Sequence, residues 1–454
     1  MEGHFRELIR RKIIDSLAGP VPEFTPRDVH VPAIPNKAIA VIGMRRAGKT
    51  TFLWQILKER LTRGTGREGL LYFGFEDERL AGMTVAHLEL IVEEYYRLHP
   101  EWRDGRRPVL FLDEIQTIPG WELFARRLLD TERIELYLSG SSSRLLSREV
   151  ATSMRGRAME ALVHPFSFRE YLRHMGREPT RPADRLPKAE RSAIEKALRT
   201  YLAHGGFPES LGAHARDRFE LLSGYVDTAL LRDVVERHSV SNPLALRWMV
   251  RQLLANPAGT FSVNKFHGDL RSQNVAVAKD TLHEYLGFLE DAFLVRTVSM
   301  WSASERQRRV NPRKAYPIDM GLIPVFDPTG RANSGHALET AVLLELERRG
   351  AHRFYVRTPE GREVDFLARY PEGVEELIQV CTDLDAPQTR DREVRALLAA
   401  GAEHSGVKLR LITLAPEIPP DLPSGIVWQP ASEWLLSDQL ERGGADGVHK
   451  LAQP

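Results

Sequence analysis

Gly43-Met44-Arg45-Arg46-Ala47-Gly48-Lys49-Thr50 fits the phosphate-loop pattern G-x-x-x-x-G-K-[ST] without a mismatch. The residues before it, Ala38-Ile39-Ala40-Val41-Ile42, form a short apolar run that predicts a buried parallel strand. Those after it, Thr51-Phe52-Leu53-Trp54-Gln55-Ile56-Leu57, have helical spacing, with Phe52/Ile56 and Leu53/Leu57 as i,i+4 pairs. Strand, glycine-rich turn and helix are the parts that a triphosphate site needs. Glycines let backbone N–H groups approach phosphate without a Cβ clash. The N-terminus of the following helix adds partial positive charge. Lys49 is placed to reach the β- and γ-phosphates, and the Thr50 hydroxyl to ligate Mg²⁺. Gly43, Arg46, Ala47, Gly48 and Thr51 complete the expected contact set, and ATP with Mg²⁺ is the expected cofactor pair.

A second motif lies some 60 residues further on. Val109-Leu110-Phe111-Leu112 is an apolar strand ending in Asp113-Glu114. Such a strand delivers Asp113 beside the Mg²⁺ and lets Glu114 polarise an attacking water as the catalytic base. The next expected strand, Ile134–Ser139, runs into Gly140-Ser141-Ser142-Ser143. A polar side chain there sits between the acids and the γ-phosphate, and Ser141 is the candidate. Capping of a helix by Ser142 or Ser143 is the alternative use of this run.

Composition sets the frame for these motifs. The 454 residues correspond to about three domains. Hydrophobic content of 42% and charged content of 28% are those of a globular chain. The net charge of +1 predicts neither a nucleic-acid nor a membrane partner, so any basic surface must be local. A single cysteine, Cys381, excludes an intrachain disulfide and a multi-cysteine zinc site. No apolar run reaches the roughly 18 residues of a membrane helix, and the N-terminus lacks the apolar core of a signal peptide. A cytoplasmic protein without a membrane partner is expected.

The ordered set of motifs resembles the prokaryotic AAA+ family often called archaeal-type ATPases. The matching segments are Gly43–Thr51, Phe111–Trp121, Ser139–Leu146, Pro165-Phe166-Ser167-Phe168-Arg169-Glu170-Tyr171 and Gly205-Gly206-Phe207-Pro208-Glu209. The resemblance covers residues ~36–235. It implies an α/β phosphate-loop domain with a helical lid, in which a Gly-x-Pro turn, here Gly206 and Pro208, contacts the nucleotide. A simple helix break is the other use of that turn. In ring ATPases an arginine before the last core strand often reaches a neighbour's γ-phosphate. Arg157 is the first choice for this role and Arg155 the second, with a surface ion pair as the alternative.

Residues 236–320 have the pattern of a winged helix-turn-helix. A helix starts near Phe261, a second spans Ala278–Asp291, and 293–295 with 298–300 are expected as the two wing strands. The family carries such a module. Arg306, Arg308, Arg309, Arg313 and Lys314 cluster beyond it and are candidates for DNA phosphates, with Lys279 and His283 on the second helix. Winged helices also bind proteins.

The last part resembles a degenerate PD-(D/E)XK, or restriction-endonuclease-like, α/β domain. Glu339 lies on a helix, Asp365 on a strand, and Gln379 and Cys381 on the next, where an acid and a lysine would stand. Gln379 pulls more weakly on a hard cation, and Cys381 supplies no fixed positive charge. Cleavage of DNA is therefore not expected, and Glu339 with Asp365 also suits a residual charge network.

The expected divisions are 1–36 (an N-terminal helix and proline-rich lead-in), 37–165 (AAA+ core), 166–235 (lid), 236–320 (winged helix), 321–438 (nuclease-like) and 439–454 (tail). The expected function is Mg²⁺-dependent ATP hydrolysis coupled to translocation, unwinding or remodelling of duplex or branched DNA (branch migration included) by a homo-hexameric ring. The alternatives are a nucleotide-gated regulatory or defence switch that binds proteins, and an ATP-regulated nuclease.

Overall fold

A computed structural model describes residues 2–140, 154, 156–327, 333–418 and 421–437. Five strands build the first sheet: β1 (Ala38–Ile42), β2 (Leu70–Gly74), β3 (Val109–Asp113), β4 (Glu135–Gly140) and β5 (Ala158–Leu162). They lie in the order β2-β3-β4-β1-β5, with every pairing parallel. β1 and β3 each have a neighbour on both edges and are buried throughout, which is why both read as unbroken apolar runs.

Both faces of this sheet are covered. Val109 and Phe111 pack with Phe52, Leu53, Ile56 and Leu57 of the helix Lys49–Thr62 on one face. Leu110 and Leu112 point to the other, where they join the cluster holding Phe5, Ile9 and Ile13 of the helix Glu2–Ala18. The period-two alternation of β3 thus feeds two cores. The chain leaves β1 through the phosphate loop and β3 through Asp113-Glu114, with the end of β4 between them. All three emerge at the carboxyl edge, where open α/β sheets place their ligands.

Helices Phe168–His174, Lys188–His204 and Ala215–Thr228 follow. The last continues through a π-helical stretch, Ala229–Val235, into Glu236–His238.

Eight strands form the second sheet: β6 (Thr260–Phe261), β7 (Val295–Met300), β8 (Arg313–Pro317), β9 (His352–Arg357), β10 (Glu363–Arg369), β11 (Glu375–Cys381), β12 (Lys408–Thr413) and β13 (Ile426–Pro430). Their order is β13-β12-β11-β10-β9-β7-β8-β6. Helices Val263–Ser272 and Lys279–Asp291 lie between β6 and β7.

One expectation is corrected here. The two short wing strands at 293–295 and 298–300 are a turn at Phe293 (φ 57) and the single strand β7. Arg296-Thr297 holds no turn residue, and Val295, Thr297 and Val298 are β-branched, so the chain stays extended. The antiparallel partner of β7 is β8. On its other edge β7 pairs in parallel with β9, so one sheet runs across residue 320. Among the described residues no helix is long and apolar enough to cross a membrane.

Candidate nucleotide-binding site

The phosphate loop is shaped by two backbone constraints. Gly48 stands at φ 99, a conformation that a side chain strains. Gly43 packs so closely on the residue that follows β5 that a Cβ there would lie 2.1 Å from the Val163 carbonyl oxygen. Arg27, buried under the loop, donates to the Ala47 carbonyl at 2.8 Å and to Glu170 at 3.0 Å. Glu170 is itself set by a capping box with Ser167, the S-x-x-E visible in Ser167-Phe168-Arg169-Glu170.

The helix Lys49–Thr62 and strand β3 bring the two motifs together. The Thr50 hydroxyl donates to Asp113 Oδ2 at 2.8 Å, and the Tyr72 hydroxyl to the same oxygen at 2.6 Å. Ser139 Oγ donates to Asp113 Oδ1 and accepts the Glu114 N–H at 2.9 Å. Glu114 takes a left-handed backbone (φ 57). Its Oε1 lies 3.8 Å from Lys49 Nζ, and Gln116 Nε2 donates to its Oε2. Burial pushes the Glu114 carboxyl up, and the Lys49 ammonium and Gln116 only partly offset this. A carboxyl so placed holds a proton more readily than an exposed one.

These groups suit the expected ligands. Thr50 and Asp113 supply the hydroxyl and carboxylate oxygens that a hard cation prefers. Among the described residues no group of three or more His, Cys, Asp or Glu could hold a metal. A site with two protein oxygens therefore fits an ion that arrives with phosphate and water rather than one held in a protein cage. The cavity beside them has a volume of about 730 Å³. Lys49, Thr50, Thr51 and Glu114 line one part, and Thr25, Phe166, His174, Pro208 and Tyr225 another.

Two loop arginines reach the lid. Arg45 grips Asp233 of the π-helical stretch through Nε (2.9 Å) and Nη2 (3.2 Å). Arg46, at φ 65, pairs with Glu209 at 3.0 Å. Sequence reading missed Arg27, Arg45, Tyr72, Ser139 and Asp319. Ser139 was legible as the last polar residue of its strand; the others act on partners remote in sequence.

Other expected residues are placed as follows. Ser141 and Arg155 lie outside the described residues. Arg157 precedes β5, at the amino edge of the sheet, and pairs with Asp130 at 2.6 Å. A five-residue strand puts it about 15 Å from its own phosphate loop. Pro208 lines the cavity, but Gly206 is enclosed elsewhere. Its N–H donates to Asp319 Oδ2 at 2.7 Å, and a Cβ on it would lie 2.3 Å from the Phe166 carbonyl oxygen.

The basic cluster divides. Arg306, Lys279 and His283 are exposed, and Arg308 lies with its guanidinium 5.8 Å from the Trp301 ring. The Arg309 side chain is outside the described residues. Arg313 faces Glu290 at 3.6 Å. Lys314 is a correction: it is buried among Glu339, Glu363 and Asp365, so its charge is taken up by acids of the fold and is not part of an exposed basic surface. Of the nuclease-like trio, Glu339 and Asp365 meet around that lysine, while Gln379 Nε2 donates to Glu393 at 2.7 Å.

An AAA domain model matches residues 35–172, and a domain model of unknown function, DUF8612, matches residues 195–330. The protein MJ1544 of Methanocaldococcus jannaschii, itself uncharacterized, is 34% identical over 85% of this chain and 84% of its own length. An uncharacterized protein of Haemophilus influenzae is 27% identical over 77% of this chain and 82% of its own. The Walker-type ATPase paby2304 of Pyrococcus abyssi shares 16% identity, covering 71% of this chain and 95% of that one, at a TM-score of 0.41, too distant to bear on function. With a relative matched along most of both chains, the chain belongs to the same family as MJ1544, and it carries an AAA domain over the phosphate loop and acid pair.

Proposed function

We propose that the protein is a Mg²⁺-dependent ATPase whose turnover is coupled to DNA and which works as an oligomer, a hexamer by analogy with ring ATPases. The observation that carries the ATPase reading is the meeting of Lys49, Thr50 and Glu114 at one cavity, with Asp113 hydrogen-bonded to Thr50 behind them. Lys49 neutralises the β- and γ-phosphates, and Thr50 and Asp113 hold the cation. Bound Mg²⁺ screens the phosphate charge that builds up during transfer. Glu114 takes the proton of the attacking water, and Ser139 holds the acid pair in register through its two hydrogen bonds. Ser141, directly after Gly140, is proposed as the γ-phosphate sensor on its sequence position. Arg157, on the far edge of its own sheet, is proposed to serve a neighbouring subunit.

The DNA reading rests on the element order helix Pro243–Ala255, β6, two helices, β7 and β8, which suits a winged helix. Exposed Arg306 adds positive charge on the β7–β8 connection. The groove lined by Lys279 and His283 also carries Glu284, Glu290 and Asp291, so the contact surface is narrow. ATPase rates on single-stranded, duplex and junction DNA at fixed salt test the coupling, with Lys49→Ala as control. Stimulation by DNA, and retention of Glu114→Gln on DNA in ATP, are expected. A rate that is flat across the panel refutes the coupling.

The Arg45–Asp233 and Arg46–Glu209 pairs favour a second reading, a nucleotide-gated switch. A switch hydrolyses slowly and ignores DNA.

A further inference from the structure

The second half of the chain holds a charged cluster that the nucleotide reaction does not use. Lys314 lies on β8 with its side chain 4% exposed. Its Nζ stands 3.0 Å from Glu339, 2.9 Å from Glu363 and 3.0 Å from Asp365. The ammonium donates to Glu339 and Asp365, and the Glu363 carboxylate is its third ion-pair partner. Tyr316, on the same face of β8, donates to Glu339 at 2.8 Å. The Val380 N–H donates to the other Asp365 oxygen at 3.0 Å. Helix Ser334–Arg348, β8, β10 and β11 all converge on this point.

Glu339 and Asp365 flank the position that a divalent ion would need in order to touch both. Such an ion sits about 2.0–2.6 Å from its oxygens, and Nζ at 3.0 Å from each fills the same space. Gln379, one residue before Val380, is neutral where an acid would strengthen the pull on a divalent ion. Burial costs the lysine its charge, but Asp365, Glu339 and Glu363 together more than offset that, so its pKa is raised and the ammonium persists.

We infer that Lys314 is a tethered replacement for a divalent cation, which closes the Glu339–Glu363–Asp365 cluster to metal and keeps this half of the chain metal-free. A lysine fixed on β8 also ties the strand pair β7–β8 to β10 and the helix Ser334–Arg348 without dependence on ion supply.

Mn²⁺ binding by the full chain without nucleotide, read from the free-ion paramagnetic resonance signal, tests this. Wild type and Asp365→Asn should bind equal numbers of Mn²⁺. Lys314→Met should bind one more per chain, and the double variant Lys314→Met/Asp365→Asn should lose it. A drop in Mn²⁺ bound by Asp365→Asn alone overturns the inference, as does a folded Lys314→Met that binds no more than wild type. Should Lys314→Met fail to fold, lysine acetylation of the wild-type chain followed by peptide mass spectrometry decides. Lys314 should react at least about tenfold more slowly than exposed Lys279, because reaction needs a local opening and a free amine. Equal rates overturn the inference.

Discussion

Arg45 of the phosphate loop and Asp233 of the lid are joined by two hydrogen bonds across 188 residues of sequence. Asp233 is buried and sits in the π-helical stretch, an irregularity that tends to mark functional positions. Removing one partner of a buried pair costs about 3–5 kcal/mol, and less where the other is partly exposed, as Arg45 is. Arg45→Ala is expected to cost about 2 kcal/mol. It should also speed hydrogen exchange across 229–235, while exchange in β3 stays unchanged. Equal protection of 229–235 in variant and wild type would show that the pair does not hold the lid.

Ser139 bonds to both members of the acid pair. Ser139→Ala should leave the Kd for ATP nearly unchanged and lower kcat by about 10- to 100-fold, the range for a lost hydrogen bond to a charged group. Single-turnover hydrolysis with a parallel binding titration separates the two effects. A variant that loses ATP binding instead would place Ser139 in the structure of the loop rather than in the hydrolytic step.

The buried setting of Glu114 raises its pKa, so the base is disabled by protonation above the ordinary carboxylate range near 4.3. The acid limb of the kcat–pH profile is therefore expected above that value, with activity rising as Glu114 ionises. Glu114→Gln should abolish the limb together with most of the rate, by about 10²- to 10⁴-fold. An acid limb at the ordinary carboxylate value would show that Glu114 is solvated when it works.

Asp319 gives a stability prediction of definite sign. Burial pushes its carboxyl up to about 7, with the Gly206 and Gly321 N–H groups and Arg348 pulling against it. The folded state then keeps a proton that the unfolded chain releases near pH 4. The contribution is full below that pH, is lost as pH rises toward about 7, and is level above. Urea unfolding of wild type and Asp319→Asn should show a stability difference that shrinks over this window. Asp319→Asn should be the less stable at low pH, because its amide group turns donors toward a Gly206 or Gly321 N–H. A difference independent of pH would remove Asp319 as the titrating group.

The nucleotide site was largely legible in the sequence because its parts are local. An apolar run of five residues, a glycine pair at fixed spacing and a helix with i,i+4 pairs need only their own neighbours to form. The same holds for β3, whose apolar run Val109–Leu112 already states that both faces are covered. Glycine carried information at Gly43, where only a missing Cβ lets β1 lie against Val163.

Lys314 shows where that legibility stops. Beside Arg313, it looked like one more surface cation. On a strand, neighbours point to opposite faces, so Arg313 turns toward Glu290 while Lys314 turns inward. Which face is inward was set by β10 and the helix Ser334–Arg348, and the lysine's partners lie 25 and 51 residues away. For Gly206 the sequence leaves a nucleotide contact and a helix break both open, and packing gives its N–H to Asp319, 113 residues on. The sequence by itself determined the strands, turns and phosphate chemistry, since these depend on spacing within one segment. Only the tertiary structure decided which charges meet, because a charge shows its sign in sequence but not the burial and partner that set its role.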